Sequence, residues 1–443
     1  MRLDALMDVR REERGALALG FTAFFTLTCG YAVLKPLRDA LGLAGGVRSL
    51  PWLFWATFAA ALVAVPAYSA LVARWPRRRV IPAVYHFFAL HLLGFFLLLK
   101  AGVAEAWVAR AFYVWVSVFN LLVVSVFWSL LTDVLDSGQG KRLFALVAAG
   151  GTVGNLVGSG LTALLAAEVG PAHLLLLTAL LLEASVLCVR ALTRWAHARG
   201  PARPSAPAPG GPVGGSAWAG LRLVLTRPHL LTLGVHTLLY STTSTFLYFL
   251  QLRLVEGAAQ TAGARTELFA RVELATQALT LLLQTAVAGR VLSRFGLPVG
   301  LGFVPALTLL GFVALALLPG LGVPALGLLL VVTVLRRATH YALEKPAREV
   351  LFTRVDREER YKSKSAIDTL VYRLGDSASA SLNGLLGALQ LPVAATAGVA
   401  APFALAWLGV ALLLGREPAP ASEPAVTAAP ASPLAEPGGA AAA

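Results

Sequence analysis

The chain has 443 residues, 57% of them hydrophobic and only 14% charged, with a mean hydropathy of +0.73. One soluble core cannot hide that much apolar surface, so the solvent is lipid, and long unbroken runs of Leu, Ala, Val and Phe exclude the alternating strands of a barrel. The net charge of +14 would suggest nucleic acid for a soluble protein, but here the placement of the cations sets membrane topology, and no nucleic-acid partner is expected.

Apolar runs near residues 15–35, 50–73, 80–100, 106–135, 144–167 and 171–193 each approach or exceed the roughly 20 residues that a spanning helix needs. The first follows a mixed-charge stretch ending at Arg14 and has no small-residue cleavage site after it, so it is expected to remain as a span. From 194 to 217 the composition turns to Pro, Gly, Ser and Arg, which predicts a flexible linker. The second half repeats the plan with runs near 224–250, 266–288, 296–318, 321–343, 365–390 and 392–415. The Ala/Pro-rich residues after Arg416 are expected to be disordered. The prediction is an all-α, polytopic protein with an N-terminal half at 1–193, a linker at 194–217, a C-terminal half at 218–415 and a tail at 416–443. Counting spans from an inner N-terminus places most Lys and Arg inside, including Arg10, Arg11, Arg14 and Arg77 to Arg79, so both termini are expected in the cytoplasm.

A weak repeat relates the halves. The first span of each ends in a polar cluster, Tyr31-Ala-Val-Leu-Lys35-Pro-Leu-Arg38-Asp39 and Tyr248-Phe-Leu-Gln251-Leu-Arg253-Leu-Val-Glu256. Between the second and third spans of each half lie Ser69-Ala-Leu-Val-Ala73-Arg74-Trp-Pro-Arg77 and Gly289-Arg-Val-Leu-Ser293-Arg294-Phe-Gly296, which resemble degraded copies of the Gly-x-x-x-Asp-Arg loop of the major facilitator superfamily. That superfamily is built from two parallel six-span repeats. The same loops also serve as ordinary positive-inside anchors, and that reading stays open.

The richest constellation follows the tenth span: Glu344-Lys345-Pro346-Ala-Arg348-Glu349, then Lys362-Ser-Lys364-Ser-Ala-Ile-Asp368, then Tyr372-Arg373-Leu-Gly375-Asp376-Ser377. Its order resembles the ATP:ADP antiporter family of bacterial and plastid nucleotide transporters, where a Pro-x-Lys/Arg-Glu element precedes Lys-x-Lys-x-x-x-Asp and then Arg-x-Gly-Lys-Ser. Lys35-Pro-Leu-Arg38-Asp39, Ser125-Val-Phe127-Trp128 and Gln139-Gly-Lys141-Arg142-Leu-Phe144 agree with the family or its free-living bacterial relatives. Asp376 departs from it, setting an anion where the nucleotide carriers have lysine.

The resemblance implies a secondary carrier of an organic anion, most simply nucleotide exchange by alternating access in a bacterial inner membrane. It also implies a cavity drawn from the first, fourth, seventh, eighth, tenth and eleventh spans. Lys35, Arg38, Arg348 and Arg373 are the candidate anion contacts, while Asp39, Lys141, Arg142, Glu273, Lys345, Glu349, Asp368 and Asp376 are candidates for gating or coupling. Inner salt bridges are expected from Lys141, Arg142, Lys345 and Arg348 to Asp133, Asp136, Glu344 or Glu349. Helical spacing puts Asp368, Tyr372 and Asp376 on one face with Arg373 able to pair with Asp376; it also puts Glu273, Gln277 and Gln284 on one cavity-facing stripe. Glu267 and Arg271 form an interfacial i,i+4 pair in the same span.

Other residues carry less. Cys29 and Cys188 lie in separate apolar runs without ligand spacing, and His86 and His91 fall on different faces, so neither disulfide nor metal is expected. Gly150, Gly154 and Gly158 have the spacing of a close helix contact. Gly140-Lys141 is followed by Arg142 and not Ser or Thr, so there is no Walker loop, and neither enzyme activity nor a cofactor is expected. Two alternatives remain: a proton-coupled carrier of another metabolite or drug, and a membrane interaction protein that transports nothing.

Overall fold

The computed structural model describes residues 9–74, 77–135, 137–198, 217–352, 355 and 357–416. Nine stretches among them are long and apolar enough to cross a membrane, and one of these, Ala262–Leu321, holds two crossings. The remaining two of the twelve expected spans, from the runs near 224–250 and 365–390, are more polar helices that are not among these nine. In hydrocarbon every main-chain group must be satisfied within its own segment, which is why apolar runs of this length fold as helices.

The N-terminal half comprises α1 (Arg14–Gly42), α2 (Leu50–Arg74), α3 (Arg77–Lys100), α4 (Glu105–Val134), α5 (Ser137–Val169) and α6 (Pro171–Ala198). A short α7 (Ala217–Thr226) leads into α8 (Pro228–Ala258), whose Pro228 sits at the first turn, where a missing N–H costs nothing. Then come α9 (Ala262–Leu283), α10 (Gly289–Leu317), α11 (Ala325–Thr339), α12 (Lys345–Phe352), α13 (Arg357–Ala366), α14 (Tyr372–Ala388) and α15 (Val393–Arg416). The polar spans are α8 and α14. Of the expected linker at 194–217, residues 194–198 extend α6 and Ala217 opens α7; residues 199–216, the tail after Arg416, Asp136 and the side chains of Lys141 and Asp133 lie outside the described residues.

The packing repeats as the sequence does. In the first half α1 packs on α5 and α6, α3 on α6, and α2 on α4; in the second α8 packs on α14 and α15, α10 on α15, and α9 on α11. These are the same pairings shifted by six spans. The halves meet through α5 against α9 and α2 against α14, again a repeat-related set.

Glycine makes the α1–α5 seam possible. A Cβ on Gly154 would lie 2.3 Å from the Phe25 carbonyl oxygen, and one on Gly158 2.3 Å from that of Cys29, so only hydrogen lets these backbones touch. Gly150 likewise faces the Phe21 carbonyl at 2.6 Å, as the small-residue spacing implied. Gly296 plays a different part: with φ 70° it breaks α10 and turns the chain between the eighth and ninth crossings.

One apolar cluster joins the halves. It combines Ala40, Leu50 and Tyr113 from the first with Phe249, Leu252, Phe269 and Ala380 from the second, at the end of the bundle where α1 and α8 finish. At the opposite end the buried clusters among the described residues stay within one half. Among the described residues, the apolar seal between the halves therefore lies at one end.

Candidate functional site

Below the seal lies a cavity of about 320 Å³ between the halves. All six expected spans contribute to it, through α1, α4, α8, α9, α11 and α14, and α2 adds Phe54 and Thr57. Five cations (Lys35, Arg38, Arg336, Arg337, Arg373) and three carboxylates (Asp39, Glu273, Asp376) line it, with six tyrosines. Charges inside a membrane are tolerated where they face such a cavity or one another, and both arrangements occur here.

Glu273 ties the halves together. Its Oε2 accepts from Lys35 Nζ of α1 at 2.8 Å and from Arg337 of α11 at 2.6 Å, while Gln277 donates to Oε1 at 2.9 Å. Thus one carboxylate, 6% exposed, holds a cation from each half. Arg38 closes on its neighbour Asp39 at 2.7 Å and lies over the Tyr113 ring, and Tyr248 of α8 donates to the same carboxylate at 2.9 Å. This too bridges α1 and the second half.

The remaining cavity cations are not neutralised by a neighbouring carboxylate. Arg373 makes no hydrogen bond or ion pair with another described residue, although it lines the cavity. Arg336 is buried, with its guanidinium donating to Thr308 Oγ1 at 3.0 Å and Ser244 Oγ at 2.7 Å and lying against the faces of Tyr240 and Trp407. Oxygens and aromatic faces hold it in place without cancelling its charge. The cavity is therefore cationic on balance.

Several expected partnerships are replaced by others. Arg373 does not pair with Asp376, whose Oδ1 instead accepts from Ser241 at 2.7 Å and Thr245 at 3.0 Å. Asp368 leaves the face shared by Tyr372 and Asp376, because residues Ile367–Val371 form a π turn whose wider winding shifts the register. It pairs with Arg348 at 2.9 Å, and Arg348, also bonded to Thr237, stands beside the cavity path and not in its wall. Gln284, at the end of α9 where a second π turn (Gln284–Ala288) begins, donates its amide to the Tyr341 carbonyl and does not line the cavity.

The inner charges pair within their own half. Arg142 bonds to Glu13 at 2.5 Å, Lys364 takes Glu349, and Lys345 lies over the Tyr341 ring. Glu344 faces two histidines, His340 in direct contact and His236 at 3.7 Å, in place of the expected lysine or arginine. Glu267 and Arg271 form the expected i,i+4 pair. His86 binds Glu183 at 2.8 Å and His91 the Phe87 carbonyl, on separate faces.

Sequence reasoning passed over Arg336 and Arg337. The signal was available: two adjacent arginines seven and eight residues before Glu344 interrupt an otherwise apolar tenth span, and intramembrane cations need a partner or a cavity. The tyrosines of α8 gave no comparable signal, since aromatic residues are common in spans.

Two repeated six-helix halves, sealed at one end around a charged central cavity, define the fold of major-facilitator-type carriers. Solved structures agree with it. A bacterial homologue of the iron transporter ferroportin in an inward-facing state superposes with a TM-score of 0.66 at 14% identity, covering 92% of this chain and 99% of that one. The nucleoside transporter NupG gives 0.63 at 13% identity, over 91% and 98%. Residues 308–414 match the family described as TLC ATP/ADP transporter. Across a wider stretch, the chain is 26% identical to ADP,ATP carrier protein 1 of Chlamydia pneumoniae over 431 residues, 83% of each protein. Residues 308–414 of this multi-pass membrane protein are thus similar to the TLC ATP/ADP transporter family, and the resemblance drawn from the motifs is borne out by these matches.

Proposed function

We propose that this protein is a secondary carrier that exchanges nucleotides of the ATP and ADP type by alternating access. The observation that carries the reading is the cavity, where cations from both halves meet under a one-sided apolar seal. Phosphate oxygens need cations to replace lost hydration, and Arg373, Arg336, Lys35, Arg337 and Arg38 supply them. Six tyrosines offer rings on which a base can stack.

An entering phosphate competes with Glu273 for Lys35 and Arg337 and with Asp39 for Arg38. In the empty carrier Glu273 through Lys35, and Asp39 through Tyr248, hold the halves in register; in the loaded carrier the substrate takes over the cations, loosens these ties and frees the halves to rock. Such a device favours exchange over net flow, because the unloaded carrier re-forms its ties. The rocking bodies are residues 1–193 and 218–415. The inner positive charges support a bacterial inner membrane with both termini cytoplasmic, which puts the seal outside.

Calorimetry on purified protein tests the site. ADP is expected to bind the wild type and to bind weakly or not at all to an Arg38→Ala, Arg373→Ala double variant. Equal affinity for the two would overturn the reading.

A further inference from the structure

Among the three cavity carboxylates, Asp376 alone has no cation beside it. Asp39 has Arg38 at 2.7 Å and Glu273 has Lys35 and Arg337. Asp376 is buried in the cavity wall, 8% exposed, and no Lys, Arg or His nitrogen of the described residues comes within 4 Å of it. Arg373 one turn before it on α14 and Arg38 of α1 face the same cavity at longer range; Tyr372 and Tyr113 face it as well. A membrane-embedded carboxylate without a close counter-charge is costly unless something neutralises it.

What surrounds Asp376 is oxygen. Ser241 and Thr245, one turn apart on α8, both donate to its Oδ1, at 2.7 and 3.0 Å, and the Ser241 hydroxyl also lies 2.9 Å from the Tyr372 carbonyl oxygen. One carboxylate, two hydroxyls and one main-chain carbonyl therefore converge between α8 and α14. The backbone is arranged for it. A Cβ on Gly375 would lie 3.1 Å from the Ser241 side chain and 3.0 Å from Leu238, so glycine lets the helices approach closely here, and the π turn Ile367–Val371 ends where Tyr372 begins.

We propose that these four oxygens form a binding site for a monovalent cation of the size of Na+. Hard oxygen donors of this kind, carboxylate with hydroxyl and carbonyl, suit a hard cation and not a soft metal, and carriers commonly place such sites near the midplane beside the substrate. A proton would use the carboxylate alone; the hydroxyls and the carbonyl gathered around it are what a larger ion needs to replace its hydration. The bound ion adds one positive charge to the cavity wall, so it strengthens the hold on an anionic substrate, and by linkage the substrate strengthens the hold on the ion. That coupling rests on the carrier reading of the cavity, whereas the ion site does not.

Binding of radiolabelled Na+ to the full-length purified protein, without nucleotide, tests the site. The wild type is expected to bind Na+ saturably, Asp376→Asn to lose binding, and Ser241→Ala and Thr245→Val each to weaken it on the order of tenfold or more. The two hydroxyl variants keep the carboxylate and guard against a fold defect, provided that they elute as the wild type does in size exclusion. Absence of Na+ binding in the wild type, or binding unchanged in all three variants, overturns the proposal, as does a protein that responds to a proton gradient but binds no Na+. Nucleotide exchange by a protein that binds no Na+ would remove only this site, and Na+ binding without nucleotide flux would remove only the proposed function.

Discussion

Replacing Glu273 by Gln removes the one carboxylate that holds Lys35 of the first half and Arg337 of the second at 2.8 and 2.6 Å. The carboxylate is 6% exposed but each cation is 22% exposed, so the tie stands between a surface pair, worth up to about 1 kcal/mol, and a buried pair, which costs about 3–5 kcal/mol to break. A value of about 2 kcal/mol corresponds to roughly a thirtyfold change in equilibrium. The lost tie joins the halves in the form with the α1 end sealed, so the variant should populate the opposite form more. Ala380, fully buried in that seal, reports the change when replaced by cysteine in a background lacking Cys29 and Cys188. Labelling by a membrane-impermeant maleimide is expected to accelerate about thirtyfold in Glu273→Gln. An unchanged labelling rate would refute the claim that Glu273 holds the halves together.

Three further outcomes follow from the geometry. Gly154→Ala forces a Cβ to 2.3 Å from the Phe25 carbonyl and should cost about 1–3 kcal/mol, seen as a lower melting temperature, while Gly160→Ala, whose nearest neighbour is 3.8 Å away, should be neutral. Arg373→Ala removes a cavity cation and is expected to weaken ADP binding about tenfold, corresponding to about 1.5 kcal/mol, whereas Arg348→Ala, whose guanidinium is held by Asp368 outside the wall, should slow transport with little change in calorimetric affinity. Asp376→Lys exchanges an anion for a cation in the cavity wall and should tighten ADP binding; no tightening would show that this position does not sense the phosphates.

The sequence made much of this architecture legible and hid specific parts of it. Ten of the twelve crossings are plain from hydropathy, because lipid-facing helices must be apolar. The other two, α8 and α14, read as runs at 224–250 and 365–390 but carry more polar residues, with Thr245, Arg373 and Asp376 lining the cavity and Ser241 buried against Asp376. Placement of Lys35, Arg38, Asp39, Glu273, Arg373 and Asp376 in the cavity agrees with reading intramembrane charge as a pathway signal. Partners were less legible. The α-helical period of 3.6 fails across the π turn at 367–371, so Asp368 left the face assigned to it. The hydroxyls that hold Asp376 come from residues more than 130 positions away, a pairing that no local spacing encodes.

The central claim is that the cavity carries nucleotides by exchange, and proteoliposomes test it most directly. The purified protein is reconstituted with ADP inside or with buffer alone, and uptake of labelled ATP is followed in both. Uptake that depends on internal ADP, and that is lost in the Arg38→Ala, Arg373→Ala double variant, is the predicted result. No labelled ATP entering ADP-loaded vesicles would contradict the account.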